Sequence, residues 1–110
     1  MEGVLSNDRG DQTKCTMKLS RLLGIEKNQL KQDVIDAGVV PRFVKFLQED
    51  CNSVLQFGAA LALTNIAAGT SDHTKVVVKV GAVPIFVRLL LSPNDVIREQ
   101  AVQALGKRII

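Results

Sequence analysis

Hydrophobic residues recur at helical spacing along most of the chain, and no segment shows the apolar–polar alternation of a half-buried strand. The pattern predicts helices over 12–23, 29–37, 41–48, 53–68, 72–80, 84–91 and 95–109. In the 53–68 helix, five apolar side chains share one face and should pack against neighbouring helices: Leu55, Ala59, Ala62, Leu63 and Ile66. The chain is therefore expected to be all-α.

Two glycine–proline pairs indicate tight turns between short helices. Gly38 and Gly81 suit the left-handed residue that ends a helix. Pro41 and Pro84 each follow three positions later, where the first turn of the next helix tolerates a missing N–H. Each pair predicts the end of one helix and the start of the next.

Two further helix starts carry polar capping signals. Ser53 followed by Gln56 fits a capping box that opens the 53–68 helix. Asn94 or Asp95 is expected to cap the helix over 95–109.

The chain also contains an internal repeat with a period of about 43 residues. Residues 38–47 align with 81–90, and residues 59–65 align with 101–107. A weaker copy lies at 15–22. This period is typical of helical solenoids with two or three helices in each unit. We expect a single domain whose units run approximately over 1–28, 29–71 and 72–110.

The repeat predicts a ladder of side chains on one face of the solenoid. In the middle unit, Leu61 and Asn65 are four positions apart and therefore lie one above the other on a helix. A parallel stack of such helices would line a groove of the kind in which solenoids bind peptides. The corresponding pairs in the flanking units are Met17 with Arg21, and Gln103 with Lys107.

Composition excludes several other functions. The net charge of +3 is scattered, and the chain has no Trp or Tyr, so nucleic-acid binding is not expected. No secretory signal or membrane span is predicted, and Cys15 and Cys51 lack metal-ligand spacing or a nearby base. No catalytic triad or phosphate loop stands out. We therefore expect no enzyme activity, no metal and no cofactor, in a reducing compartment.

Three segments resemble the early armadillo repeats of the importin alpha (karyopherin alpha) family, adaptors that recognise nuclear localisation signals. They read VIDAGVVPRFVKFL, LQFGAALALTNIAAGTSDHTKVVV and GAVPIFVRLLLSPNDVIREQAVQALG, and the resemblance extends from about Gln12 to Gly106. It implies a right-handed armadillo-repeat superhelix, an α-solenoid, of about two and a half repeats of three helices. It also implies a module that binds localisation signals of cargo proteins, acts in protein import into the nucleus, and is found in cytoplasm and nucleus.

The resemblance implies a peptide-binding set as well. Repeats two to four of the family carry Trp and Asn on their third helices, and Asn65 occupies the Asn position of the second repeat. The other matching groove and loop positions are Leu23, Gly69, Thr70, Thr74 and Gln100. Leu61 and Gln103 stand where the family has Trp, and Lys107 replaces the next Asn. Each lost cation–π slot would cost roughly 0.5 to 2 kcal/mol, so weakened recognition of basic peptides is expected.

Alternative interpretations remain open for several of these residues. Asn65 could be an ordinary exposed residue near a helix end, and Thr70 and Thr74 could be simple turn and cap residues. His73, with no metal-binding partner, is expected to be exposed to solvent. If Arg21 and Lys107 line the groove, an acidic peptide becomes a better ligand than a basic one.

A second function is also compatible with the sequence. Because Met1 already falls in the first repeat, the basic segment that recruits importin beta is expected to be absent. A truncated, non-catalytic armadillo chain would leave its repeat ends uncovered, Ile109 and Ile110 among them. Such a chain is expected to act as a protein-interaction or self-associating fragment without signal binding.

Overall fold

A computed structural model describes residues 2–5, 7–25 and 28–106, and these residues form helices without any strand. The helices, in chain order, are α1 (Glu2–Leu5), α2 (Arg9–Ile25), α3 (Asn28–Asp36), α4 (Val40–Leu47), α5 (Ser53–Ala67), α6 (Ser71–Lys79), α7 (Ala82–Leu89) and α8 (Asp95–Leu105). The predicted all-α fold is confirmed. Lys107, and with it the last residues of the helix predicted over 95–109, lies outside the described residues.

Helix α1 is an addition to the predicted pattern, and α2 begins earlier than expected. Val4 of α1 is buried in the core, and the Arg42 guanidinium on α4 donates to the Leu5 carbonyl at 3.0 Å. Gly3 lies so close to Cys15 on α2 that a Cβ at this position would collide with the thiol sulfur. These contacts join residues far apart in the chain, which explains why local periodicity does not reveal α1.

The two predicted glycine turns are present. Gly38 and Gly81 have φ values of 75° and 83°, the left-handed conformation that a residue with a Cβ adopts only at a cost. The following helices start at Val40 and Ala82, so the two prolines fall inside the first turn. Each glycine thus lies in the turn between two short helices.

The predicted capping box of Ser53 and Gln56 is wrong. Asn52 caps α5 instead, since its Oδ1 accepts from the Leu55 N–H at 3.2 Å. The Gln56 amide nitrogen donates to the Leu47 carbonyl and to the Asp50 carboxylate, both at 3.0 Å. Gln56 is buried, so its amide pairs with the α4–α5 loop rather than reaching back to the cap.

The second predicted cap is confirmed at Asn94. Its Oδ1 accepts from the backbone N–H groups of Val96 and Ile97, at 3.0 and 3.3 Å. Asp95 is the first residue of α8 and pairs with Arg98.

Helix α5 is the centre of the molecule, because it packs against α2, α4, α6 and α8. The five side chains predicted to face its neighbours are all fully buried. Helices α2 and α8, the last helices of the first and third predicted units, both pack against α5, the last helix of the second. None of the described helices is both long and apolar enough to cross a membrane.

Candidate functional site

The predicted ladder falls on α2, α5 and α8, the three helices that pack side by side. Leu61 and Asn65 on α5 are half-buried, Arg21 on α2 is exposed, and Gln103 on α8 is exposed. Lys107 is not among the described residues, so its predicted place beside Gln103 stays a prediction. The partly exposed side of these helices is called the α2–α5–α8 face below.

Asn65 is held by α2. Its amide nitrogen donates to the Ser20 carbonyl at 2.9 Å. Gly24 makes room for it, since a Cβ on Gly24 would lie 3.0 Å from the same nitrogen. This is the one hydrogen bond of the Asn65 side chain to the described residues, so a second N–H and the carbonyl oxygen are left for a ligand. An amide fixed in this way can pair with both polar groups of a peptide unit.

The loop between α5 and α6 is tightly packed. Thr70 is the N-cap of α6, with its hydroxyl accepting from the His73 N–H at 3.2 Å. The Thr74 hydroxyl is buried and donates to the Ala67 carbonyl at 2.7 Å. Gly69 is buried too, and a Cβ there would collide with the His73 ring. These contacts support the turn-and-cap interpretation of Thr70 and Thr74 that the sequence left open.

His73 is not exposed, contrary to the expectation from sequence. The side chain is buried, with the residue only 3% exposed. Its Nδ1 accepts from the Thr70 backbone N–H at 3.3 Å, which completes a capping box. The other ring nitrogen lies 3.1 Å from Oε1 of Gln32 on α3. A neutral ring that accepts at Nδ1 carries its proton on Nε2 and therefore donates to Gln32. The partner lies on another helix, which the local sequence does not reveal.

Two of the predicted binding positions lie beneath the surface. Leu23 is fully buried in the core. Gln100 is buried as well, and its amide nitrogen lies 3.3 Å from the Thr64 hydroxyl, which itself donates to the Ala60 carbonyl at 2.7 Å. The Gln100 side chain therefore joins α8 to α5, and Leu23 belongs to the hydrophobic core.

A groove that was not predicted from the sequence opens at the N-terminal ends of α5 and α8. It has a volume of about 300 Å³, and its lining is mostly apolar: Met17, Ser53, Val54, Phe57, Asn94, Val96 and Ile97. Val54 and Phe57 precede Leu61 on the same side of α5 at helical spacing, and this is the pattern that could have located it. We call it the apolar groove.

Cysteine and metal chemistry is not apparent in this part of the molecule. Cys15 is partly buried beneath α1, and Cys51 is exposed in the α4–α5 loop. Within the described ranges there is no group of three or more His, Cys, Asp or Glu side chains that could hold a metal ion.

Comparison with known sequences places this arrangement in a protein family. A family model described as Armadillo/beta-catenin-like repeat matches residues 27–68 and 70–107. Importin subunit alpha-2 of Arabidopsis thaliana is 59% identical over 104 residues, which cover 94% of this chain and 19% of the relative. Importin subunit alpha-1b of Oryza sativa subsp. japonica is 56% identical over 106 residues, covering 96% and 20%. The chain thus spans about a fifth of the length of these curated relatives.

Solved structures with the same fold include engineered and designed proteins. One engineered protein superposes with a TM-score of 0.86 at 31% identity, over 94% of this chain and 41% of that chain. A designed armadillo repeat protein, solved in complex with the peptide (KR)4, has a TM-score of 0.84 at 27% identity, over 94% and 43%. The predicted α-solenoid is confirmed by this similarity.

Proposed function

This chain belongs to the Armadillo/beta-catenin-like repeat family, and we propose that it is a peptide-binding module of the nuclear-import adaptor type. In this proposal an extended peptide lies on the α2–α5–α8 face, and the module performs no catalysis itself. Support comes from the importin alpha relatives, which match nearly the whole chain. A cytoplasmic and nuclear location belongs to the same proposal.

The geometry of Asn65 carries this proposal. Its side chain is partly exposed on α5, it is held by Ser20, and it retains one donor and one acceptor. A peptide unit offers the matching acceptor and donor whatever its side chain is. Because the amide is already held in place by Ser20 and Gly24, a bound peptide loses little affinity to ordering of this side chain.

Basic peptides are the proposed ligands. The designed neighbour solved with (KR)4 supports this choice. Asn65 also lies in the last turn of α5, where the negative end of the helix dipole favours a cation. Leu61 and Gln103 offer no aromatic face to a lysine side chain, so the proposed affinity is lower than a Trp-lined groove would give.

Titration of a fluorescently labelled basic peptide tests the proposal. We expect saturable binding, and we expect Asn65→Ala to weaken it by about fivefold to thirtyfold, since two hydrogen bonds of roughly 0.5 to 1 kcal/mol each are lost. Gln48→Ala, at an exposed amide next to the end of α4, is the matched control and should bind like the unmodified chain. Circular dichroism of each variant verifies that it is folded.

Two results would contradict the proposal. One is the absence of saturable binding to the unmodified chain, and the other is equal affinity after Asn65→Ala in a folded variant.

A further inference from the structure

We propose that the apolar groove binds an apolar side chain of the same peptide, about four residues from the residue whose main chain Asn65 holds. The inference rests on the proposed function for the position of the main chain, and it adds the class of peptide that this chain selects. A basic residue near Asn65 and an aliphatic residue in the apolar groove would define the ligand.

The walls of the apolar groove are both accessible and adaptable. Val54 at the start of α5 and Val96 at the start of α8 are each 53% exposed, while Phe57 between them is half-buried. Met17 reaches this place from α2 because Gly58 lacks a side chain, as a Cβ there would lie 2.9 Å from the thioether sulfur. A flexible thioether beside apolar walls can accommodate aliphatic side chains of different shape.

Charge favours an apolar side chain over a cation at this place. None of the lining residues carries a charge, and α5 contains no charged residue from end to end. The groove lies at the N-terminal ends of two helices, where the positive end of the helix dipole opposes a Lys or Arg head group. A basic side chain would have to leave water here without an anionic partner among the lining residues.

The same ends are also poorly suited to an anion. The Asn52 side chain accepts from the Leu55 N–H on α5, and the Asn94 side chain accepts from the N–H groups of Val96 and Ile97 on α8. These caps already occupy three of the backbone donors that an acidic side chain would need. An aliphatic side chain, which needs no donor, gains from leaving water against Val54, Phe57 and Val96.

The apolar groove continues the surface that carries Asn65. Phe57, Leu61 and Asn65 follow one another at intervals of four residues, so they lie along one side of α5. From Phe57 to Asn65 the helix rises about 12 Å. An extended peptide covers that distance in about four residues. One short peptide can therefore contact both places.

Two series of three labelled peptides test the inference. All six contain the same basic cluster, with Ser, Leu or Lys placed four residues from it. This position precedes the cluster in one series and follows it in the other. We expect the Leu peptide of one series to bind about tenfold tighter than its Ser counterpart, in keeping with partial burial of a leucine side chain. The Lys peptide should bind no tighter than the Ser peptide.

Variants at exposed positions locate the effect. Val54→Lys and Val96→Lys should abolish the advantage of Leu over Ser, whereas Val87→Lys on α7, with a side chain of similar exposure at 51%, should keep it. All three replace exposed side chains, so circular dichroism should show folded protein. Asn65→Ala should weaken every peptide by the same factor, because it acts on the main chain.

The outcomes separate this inference from the proposed function. Equal affinity for the Leu and Ser peptides, or a Leu advantage that survives both Val54→Lys and Val96→Lys, overturns the apolar site. If only the Leu peptide binds, and binds through Val54, the apolar site stands and the basic-peptide function falls. If no peptide binds, both are overturned.

Discussion

At the scale of single residues, Leu61 decides how strongly the proposed peptide surface can hold a cation. It is half-buried on α5, one turn before Asn65. A leucine contributes apolar contact to the stem of a lysine, but it lacks the electron-rich face that attracts the ammonium group. The main-chain contact of Asn65 and the side-chain contact at position 61 can therefore be separated experimentally.

We expect Leu61→Trp to raise the affinity for a basic peptide about twofold to thirtyfold, the equivalent of roughly 0.5 to 2 kcal/mol for one cation–π contact. Fluorescence titration measures the change directly. Leu22→Trp is the control, because Leu22 is an exposed leucine on α2. An equal gain in both variants would show that added aromatic surface, and not its place beside Asn65, is responsible.

At the scale of helices, the start of α6 shows how a loop and two elements are joined by one side chain. His73 accepts from the Thr70 N–H with one ring nitrogen and meets Gln32 of α3 with the other. The ring packs against Gly69, where no Cβ could fit. The position of the α5–α6 loop therefore depends on a histidine that belongs to α6.

Replacing this ring should destabilise the protein. We expect His73→Ala to lower the free energy of unfolding by about 1 to 3 kcal/mol, because two partly buried hydrogen bonds and the packing of a buried ring are lost. Urea denaturation followed by circular dichroism gives the value. Lys75→Ala, at an exposed position of the same helix, is expected to change it by no more than about 0.5 kcal/mol. Similar losses in the two variants would contradict the proposed role of the ring.

Most of the helices were predictable from the sequence, because the residues that a helix buries recur at a regular spacing along the chain. Leu63 and its neighbours on α5 recur at helical spacing, so their burial follows from the sequence. Gly38 predicts its turn because few residues other than glycine adopt a left-handed backbone conformation. The position of His73 and the burial of Gln100 depend on partners in other helices, and spacing along one helix carries no signal of them.

At the scale of the whole molecule, α5 packs against α2, α4, α6 and α8. A substitution that destabilises α5 should therefore destabilise these helices as well. Leu63 is fully buried in the single core cluster formed by the described helices. We expect Leu63→Ala to cost about 2 to 5 kcal/mol, the usual loss when a buried leucine leaves a cavity, and to lower the melting temperature on the order of 10 °C or more.

Leu91→Ala is the matched control, because Leu91 is 88% exposed in the α7–α8 connection and its loss leaves no cavity. Its free energy of unfolding should lie within about 0.5 kcal/mol of that of the unmodified chain.

Hydrogen exchange adds the decisive measurement. Since α5 packs against α2, α4, α6 and α8, protection in Leu63→Ala should fall in all of these helices together. A loss confined to α5 would show that the repeats are stabilised independently of their central helix.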